Sequence, residues 1–249
     1  MNFYQELKDY IEKEKMSSTE IADAMGKTGA IPHLHPVSEA DFVIGKMRCL
    51  FTANNSNYYL HTQLDLIEED EVVVVFTEGC ENKAIFGDIV CKYMLEVKKA
   101  KAVVVQGFMR DIDVIKERNY ALWCQGYTPI GCFNRETSPY PYEKKNIKMQ
   151  KYAGSLVVCD ATGVVSIPEC YFNQSMLNRL KGLRLQEEVW NYCISDLGWN
   201  TDRTICKKDY LNHMDKLPKR FQDNEELLRI KFGAEPERND QMNSHKVAS

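Results

Sequence analysis

Two valine-rich runs, EVVVVF at residues 71–76 and KAVVVQ at residues 101–106, constrain the fold of this chain more than any other feature of its sequence. Each has the length of a buried strand and falls far short of the roughly 20 apolar residues that a membrane-spanning helix needs. Between the runs, five apolar residues recur at the spacing of one helix face: Ile89, Val90, Tyr93, Met94 and Val97. A strand, a helix and a strand in this order form a βαβ unit with parallel strands, so the sequence predicts an α/β fold.

Weaker patterns extend this unit toward both ends of the chain. Residues 3–15 predict a first helix, and residues 17–26 predict a second helix that is capped by Ser18 or Thr19 and ends at Gly26. Further helices are predicted at residues 55–67 and within residues 168–198. The other predicted strands lie at residues 41–53, with an interruption at Gly45, and at residues 121–125, 127–133, 155–160 and 163–168.

Length and charge limit the class of protein. A chain of 249 residues suits one large domain with an appendage, and we predict a domain at residues 1–206 and a C-terminal extension at residues 207–249. The last stretch, residues 233–249, has almost no apolar residues and is predicted to be disordered. A net charge of −4 and a pI of about 5.8 indicate no polyanion-binding surface, so no nucleic-acid partner is predicted.

The cysteines and the N-terminus bear on the cellular location. The nine cysteines are an odd number with no C-x-x-C arrangement, so we expect reduced thiols that pack as small apolar side chains. The first residues, MNFYQELKDYIEKEK, lack the apolar core of a signal peptide. Because no apolar run is long enough to span a bilayer either, the sequence predicts a cytoplasmic protein without a membrane partner.

An arginine and a carboxylate stand side by side after the second valine run. In VVVQGFMRD, the predicted strand stops at Gly107, and Arg110 and Asp111 follow it. Ligands of open parallel sheets bind at the carboxyl ends of the strands. Arg110 can hold a carboxylate or a keto oxygen with two hydrogen bonds, and Asp111 can hold a hydrated divalent cation. The alternative, a structural Arg–Asp pair that closes a loop, fits the spacing equally well.

The helix of the predicted βαβ unit begins next to this pair. Gly87 lets backbone approach closely, and Asp88 begins the helix. The free N–H groups at a helix N-terminus bind anions, so a small carboxylate substrate can sit there. A helix N-terminus, an arginine and a carboxylate are therefore predicted to converge on one site.

Three other motifs are better explained by structural roles than by phosphate binding, metal binding or catalysis. GKTG at residues 26–29 lacks the earlier glycine of a phosphate-binding loop, because position 21 is isoleucine, and it follows a helix. His33 and His35 have proline neighbours and no third metal ligand nearby. Cys80 has no histidine close in sequence to activate it, so a packing role is favoured.

Four segments together resemble the RraA-like family. They are GDIVCKYMLEVKKAKAVVVQGFMRD, STEIADAMGKTGAI, YTPIGC and VVCDATGVVSIP, and the likeness covers roughly residues 17–195. That family comprises the regulator of RNase E activity A together with class II pyruvate aldolases. The aldolases act on 4-hydroxy-4-methyl-2-oxoglutarate and 4-carboxy-4-hydroxy-2-oxoadipate.

The resemblance implies a fold, an assembly and a set of site residues. The fold is a compact α/β/α sandwich related to swivelling phosphohistidine domains, and the subunits form trimers or pairs of trimers with sites at their interfaces. Arg110 is implied to bind the keto acid, and Asp111 to help hold Mg²⁺ or Mn²⁺. Asp88 matches the acidic residue at the helix start, beside Gly87, and Ile89 and Val90 are implied to offer backbone N–H groups to the substrate.

The sequence departs from the aldolase pattern in three places. The interval from Asp88 to Arg110 holds 21 residues, one more than the pattern, and we place the extra residue within residues 96–102. Val114 stands where the aldolases carry an acidic residue, and Asp113 lies one place early. The chain beyond about Lys207 is also longer than usual.

The predicted function is a divalent-metal-dependent lyase that acts on a small 2-keto acid. Retro-aldol cleavage and decarboxylation of a β-keto acid such as oxaloacetate both pass through a pyruvate enolate, which Arg110 would stabilise. Water held by Asp88, or a carboxylate of a neighbouring chain, would transfer protons. Glu187 and Glu188 are candidates for that carboxylate, although a solvated helix face explains them better. The alternative function is a non-catalytic, ring-shaped protein that regulates an RNase E type partner.

Overall fold

The computed structural model of the chain describes residues 2–39 and 42–230. These residues form two compact units, one of residues 2–22 and 29–173 and the other of residues 23–28 and 174–230. The predicted domain boundary after residue 206 stays a prediction. The predicted disordered tail, residues 233–249, lies outside the described residues.

The first unit is built on an eight-stranded sheet. The strands are β1 (Ala30–Ile31), β2 (His35–Pro36), β3 (Val43–Ala53), β4 (Val72–Glu78), β5 (Ala102–Met109), β6 (Leu122–Tyr127), β7 (Leu156–Cys159) and β8 (Val164–Ile167). Their order across the sheet is β1-β8-β7-β3-β4-β5-β6-β2. The neighbours β3, β4, β5 and β6 pair in parallel, as the βαβ prediction requires, and the remaining pairs are antiparallel.

Burial on both faces explains the valine runs. On one face, Val73, Val75, Val103 and Val105 pack in one apolar cluster with residues of the helical segment after Gly87. On the other face, Val72, Val74, Ala102 and Val104 pack in a second cluster with Tyr140 and Tyr152. Because both faces of a central parallel strand are covered, the strand sequence is continuously apolar and does not alternate.

The helices of the first unit cover these faces and begin the chain. They are α1 (Phe3–Glu14), α2 (Ser18–Ala24, which runs into the second unit), α3 (Tyr58–His61), α4 (Asp88–Lys92), α5 (Ile112–Glu117) and α6 (Tyr142–Tyr152). Helix α4 continues as a π-helical turn at Tyr93–Val97, and short 3₁₀ turns occur at Leu64–Leu66 and Glu169–Tyr171.

The second unit is helical. Its main helix is α7 (Gln174–Ser195), followed by α8 (Lys219–Gln222), α9 (Glu225–Leu228) and short π and 3₁₀ turns between residues 202 and 216. Its core contains the buried residues Val189, Cys193, Trp199, Tyr210, Leu217, Phe221 and Leu228. Among the residues described in both units, no helix combines the length and apolar character needed to cross a bilayer.

Several predicted elements are confirmed, and others are corrected. The βαβ unit, the first helix and the long helix within residues 168–198 are present. The cap of α2 is Ser17 and not Ser18 or Thr19: the Ser17 hydroxyl accepts the N–H of Glu20 at 3.2 Å, and the Glu20 carboxylate accepts the N–H of Ser17 at 2.7 Å. This reciprocal pair is a capping box. In place of one helix at residues 55–67, the structure has α3 and a separate 3₁₀ turn.

The strand predictions need three corrections. Gly45 does not interrupt β3; a Cβ there would lie 2.8 Å from the carbonyl oxygen of Asp70, so glycine permits a close approach within a continuous strand. Strand β5 continues past Gly107 to Met109. No strand forms at residues 127–133, because β6 already ends at Tyr127 and the chain beyond it makes isolated bridges only.

Candidate active site

A cleft of about 190 Å³ lies where β5 ends and α4 begins. All six predicted site residues line it: Gly87, Asp88, Ile89, Val90, Arg110 and Asp111. Asn57, His61, Phe86 and Asn134 complete its wall. The volume is below the roughly 300–1,000 Å³ of sites for drug-sized ligands, which suits a small acid.

Backbone hydrogen bonds bring the start of α4 to Arg110. The N–H of Ile85 donates to the carbonyl of Phe108 at 2.8 Å, and the N–H of Arg110 donates to the carbonyl of Phe86 at 3.3 Å. On the other side, the N–H of Ala84 donates to the carbonyl of Ile130 at 2.8 Å. The segment before α4 is therefore held along the end of β5, which sets Gly87 against the Arg–Asp pair.

Gly87 is needed for its missing side chain and not for an unusual backbone. Its φ of −128° is ordinary extended conformation. A Cβ on Gly87 would lie 1.8 Å from Oδ2 of Asp111 and 3.2 Å from Cγ of Arg110. No side chain fits there unless the Asp111 carboxylate moves, so the contact between Gly87 and Asp111 is part of the site.

The Asp111 carboxylate is available for a ligand. Asp111 has left-handed backbone angles (φ 60°, ψ 37°), which aspartate tolerates better than most residues, and it stands at the N-cap of α5 without a capping hydrogen bond from its side chain. Its Oδ2 lies 3.4 Å from Nε of Arg110, and the two side chains are 42% and 48% exposed, respectively. An ion pair this exposed contributes about 0–1 kcal/mol, which weakens the interpretation of Arg110 and Asp111 as a loop-closing pair.

The Arg110 guanidinium rests against a second glycine. A Cβ on Gly131 would lie 2.6 Å from Nη1 of Arg110 and 3.3 Å from its Cζ. Within residues 2–39 and 42–230, neither Nη group has a hydrogen-bond acceptor, and Asp111 is the one carboxylate within ion-pair distance of the guanidinium. The fork is thus positioned by Gly131 and open to a ligand that accepts two hydrogen bonds.

Two polar residues of the cleft escaped the sequence analysis. Asn57 is 7% exposed, and its Nδ2 donates to the carbonyl of Ile85 at 3.0 Å, so it supports the segment that leads to α4. His61, at the end of α3, is exposed and lines the cleft. The signal in the sequence was their separation of four residues, which places both on one side of a short helix.

The other predicted residues lie elsewhere. Asp113 is exposed in the first turn of α5, and neither it nor Val114 lines the cleft. Glu187 and Glu188 lie on α7 of the second unit, where Glu188 Oε2 is 3.5 Å from Nη2 of Arg220; their role toward the site stays a prediction. Cys80 is buried in the apolar cluster that also contains Cys91 of α4, and its packing role stays a prediction.

The donor set suits only one kind of metal site. Among the residues that the structure describes, no group of three or more His, Cys, Asp or Glu side chains could enclose a metal ion. The cleft does offer two carboxylates, Asp88 and Asp111. Mg²⁺ and ions like it are commonly bound through one or two carboxylates while they keep several waters, so these residues fit a hydrated, weakly held ion.

The fold and this cleft define an α/β protein with a small site, which combines apolar side chains with an arginine and two carboxylates, at the carboxyl edge of a parallel sheet. The model of the RraA-like (Aldolase/RraA) family matches residues 18–166, more than half of the chain. The chain therefore belongs to the RraA-like family, as the sequence predicted.

One relative and two solved structures illustrate the similarity. The chain is 27% identical over 194 residues to a protein of Halalkalibacterium halodurans named "Putative 4-hydroxy-4-methyl-2-oxoglutarate aldolase", covering 72% of this chain and 85% of that one. An uncharacterized protein from Pseudomonas syringae superposes with a TM-score of 0.59 at 20% identity, covering 77% of this chain and 89% of that one.

The second structure is RraAS2 of Streptomyces coelicolor, described as an unusual member of the RNase ES inhibitor RraA protein family. It superposes with a TM-score of 0.55 at 20% identity, covering 70% of this chain and 91% of its own. At this identity the two superpositions establish the fold alone, and they confirm the predicted α/β architecture of a sheet flanked by helices.

Replacing Gly87 with alanine tests the geometry of the cleft. The new Cβ must displace the Asp111 carboxylate, and a displacement of about 1 Å can cost on the order of 10²-fold in rate. We expect the free energy of unfolding to fall by about 1–3 kcal/mol, as overpacking typically costs, and kcat/KM of any reaction that the cleft catalyses to fall by about 10- to 100-fold. In the double variant Gly87→Ala/Asp111→Ala the stability loss should be smaller than the sum of the single losses, because the clash is gone. Additive losses would show that the two residues do not touch.

Proposed function

We propose that the protein is a divalent-metal-dependent lyase that releases pyruvate from a small 2-keto acid. The observation that carries this proposal is the open Arg110 fork, which shares one small cleft with the start of α4 and with two carboxylates. Family membership and the name of the Halalkalibacterium relative support carbon–carbon bond cleavage as the reaction class.

Substrate binding uses backbone N–H groups at the start of α4 and the open Nη groups of Arg110. The backbone N–H groups of Ile89 and Val90, in the first turn of α4, bind the carboxylate of the keto acid. Arg110 donates to the keto oxygen. Anchoring both ends of the 2-keto acid fixes the bond that breaks relative to the protein, which is the main entropic contribution to such a reaction.

Retro-aldol cleavage and decarboxylation then share one difficult step. In the first, a base removes the proton of the 4-hydroxyl group and the C3–C4 bond breaks; in the second, carbon dioxide leaves C3. In both, the electron pair of the broken bond passes into a pyruvate enolate, whose oxygen gains negative charge next to Arg110. A bound Mg²⁺ or Mn²⁺ would supply Lewis-acid polarisation of the keto oxygen.

Proton transfer has three candidates, two of which lie on the wall of the cleft. Asp88, half-buried at the start of α4, can hold the water that takes and returns the proton. His61 lines the same cleft and is a second candidate, because an imidazole ring can accept a proton at one nitrogen and donate one from the other. A carboxylate from a neighbouring chain, with Glu187 or Glu188 as its source, stays a third candidate.

A pyruvate-release screen tests the reaction. Purified full-length protein is incubated with oxaloacetate and with 4-hydroxy-2-keto acids, each with Mg²⁺, with Mn²⁺ and with EDTA, and pyruvate is measured by coupled NADH oxidation. Protein-free samples correct for the spontaneous, metal-promoted decay of oxaloacetate. We expect pyruvate above this background from at least one substrate in the presence of metal.

The alternative function is a ring-shaped regulator that binds an RNase E type partner without catalysis. It is favoured by the description of the Streptomyces structure, which is that of an RNase inhibitor family. A screen in which no substrate yields pyruvate above background would favour this alternative over the lyase.

Assembly is a separate prediction, a trimer or a pair of trimers that completes the site at a subunit interface. Large apolar side chains are exposed around the cleft: Ile89 is 78% exposed, Ile130 58% and Phe133 51%. Exposed apolar side chains gathered around one site are typical of an interaction surface. We expect light scattering to report a trimer or hexamer at micromolar concentration; a stable monomer would contradict the prediction.

A further inference from the structure

A second, larger cleft lies on the other face of the sheet. Its volume is about 600 Å³, within the range of small-molecule sites, and it opens at the carboxyl ends of β4, β5 and β6. Because side chains alternate along a strand, Gln106 shares its face with Ala102 and Val104, which pack in the cluster that contains Tyr152 of α6. The candidate active site instead adjoins α4, whose Cys91 packs in the opposite cluster.

Three polar side chains toward the carboxyl ends of adjacent strands point to a ligand-binding site. They are Glu78 on β4, Gln106 on β5 and Gln125 on β6, and all three line the cleft. Glu78 is already neutralised by an ion pair with Lys144. Gln106 uses its Oε1 to accept a hydrogen bond from Lys148 Nζ at 3.5 Å, so its amide N–H groups remain for a ligand. Gln125 is half-buried and has no hydrogen-bond partner among the described residues.

Lys148, on α6, is the positively charged residue of the lining of this cleft, and Glu78 and Glu81 are its negatively charged residues. Its ammonium lies 5.0 Å from the ring centroid of Phe76 and 5.7 Å from that of Tyr152, and the side chain is half-buried. Across residues 2–39 and 42–230, no carboxylate lies within 4.0 Å of it, whereas its neighbour Lys144 is paired. Burial lowers the pKa of Lys148, the nearby charge of Lys151 adds to that effect, and the charge of Glu78 opposes it. A half-buried cation that makes no direct ion pair is costly, and a bound anion would offset part of that cost.

We propose that this cleft binds a small metabolite through an oxyanion group, a carboxylate or a phosphate, that pairs with Lys148. The amides of Gln106 and Gln125 donate hydrogen bonds to the oxygens of the same ligand. The cleft is thus a second binding site of the protein, separate from the one that holds the keto acid.

Isothermal titration calorimetry of the full-length protein tests this site with two probes, succinate and inorganic phosphate. We expect at least one of them to bind, and the tighter of the two identifies the oxyanion. Lys148→Met should weaken binding by about 10- to 100-fold, as expected for loss of one charged hydrogen bond. Gln125→Glu, which keeps the shape but adds a negative charge, should weaken it as well. The control Lys145→Met removes a positive charge from the same helix outside the cleft and should leave the affinity unchanged.

Two results would overturn the proposal. One is that neither probe binds at millimolar concentration. The other is that Lys148→Met binds as the wild type does while Arg110→Ala does not, which would assign the anion to the candidate active site.

Chemical acylation of the unmutated protein removes any dependence on folding of the variants. With mass-spectrometric mapping, the bound probe should protect Lys148 and leave the modification of Lys145 unchanged; equal modification of Lys148 with and without probe counts against the site.

Discussion

Replacing Arg110 with alanine is expected to lower kcat by about 10²–10³-fold for any 2-keto acid that the protein cleaves, the range observed when one preorganised donor to an oxyanion is removed, and to lower kcat/KM by more. Both constants should change. KM should rise because the guanidinium binds the substrate, and kcat should fall because the negative charge of the enolate develops on oxygen atoms that Arg110 reaches.

The structure explains why this effect should be large. The guanidinium packs against Gly131, where a Cβ would lie 2.6 Å from Nη1. This contact positions the guanidinium while its Nη groups stay free to donate hydrogen bonds to a substrate. Its contact with Asp111 is exposed and contributes little to stability. Arg110→Ala should therefore leave the melting temperature and the oligomeric state nearly unchanged, and the loss should appear in catalysis.

Two further variants sharpen this test. Arg110→Lys restores the charge but not the planar fork, so it should recover little activity. Arg118→Ala, a matched control, removes an exposed arginine at the end of α5 that pairs with Glu96 at 3.2 Å outside the cleft. It should keep wild-type kcat/KM. If folded Arg110→Ala turns over a confirmed substrate at the wild-type rate, then Arg110 and Asp111 are a loop-closing pair after all.

Local sequence patterns were enough to predict the centre of the fold. The two valine runs and the helical repeat between them identify β4, β5 and the helix that joins them, because burial on both faces leaves a continuous apolar strand. They also place Arg110 and Asp111 beyond the carboxyl end of a parallel strand. The adjacency of Gly87 and Asp111, by contrast, is a contact across the sheet edge that no local pattern reports.

Helix α6 and the cleft residues Asn57 and His61 were not predicted, because their local sequence does not indicate their structural role. Helix α6 is rich in lysine, follows two prolines, and has little of the apolar periodicity of a packed helix, yet it carries Tyr152 and Lys148 onto the sheet. Asn57 and His61 reach the cleft because the chain after β3 folds back over the end of β5. That path depends on tertiary hydrogen bonds, such as the one from Asn57 to Ile85.

The predicted extra residue between Asp88 and Arg110 can be accommodated in the helical segment that joins them. The helix that starts at Asp88 ends in a π-helical turn at Tyr93–Val97, in which the N–H of Lys98 donates to the carbonyl of Tyr93 at 2.9 Å. A hydrogen bond of this kind spans one residue more than an α-helical one, so the turn can take up an inserted residue. The turn overlaps the predicted region, residues 96–102, at its first two positions. An insertion taken up there leaves both Asp88 and Arg110 at the cleft.

The second large effect concerns the metal, and Asp111 is the residue to change. Asp111→Asn keeps a side chain that tolerates the left-handed conformation (φ 60°) but removes the charge that a hard cation needs. Lewis-acid stabilisation supplies several kcal/mol to a developing enolate, so we expect activity with Mg²⁺ or Mn²⁺ to fall by about 10³-fold or more. Electron paramagnetic resonance of added Mn²⁺ should show bound ion in the wild type and much less in the variant.

Asp113→Asn is the matched control for this experiment. It removes the same charge two residues away, from an exposed carboxylate that does not line the cleft, and should keep both Mn²⁺ binding and activity. Because one or two carboxylates would hold the ion and water would fill its remaining positions, binding should be weak. EDTA should therefore abolish turnover, and added Mg²⁺ or Mn²⁺ should restore it. Turnover that survives exhaustive chelation would rule out a metal-dependent reaction and leave Arg110 and the N–H groups of α4 as the stabilisers of the enolate.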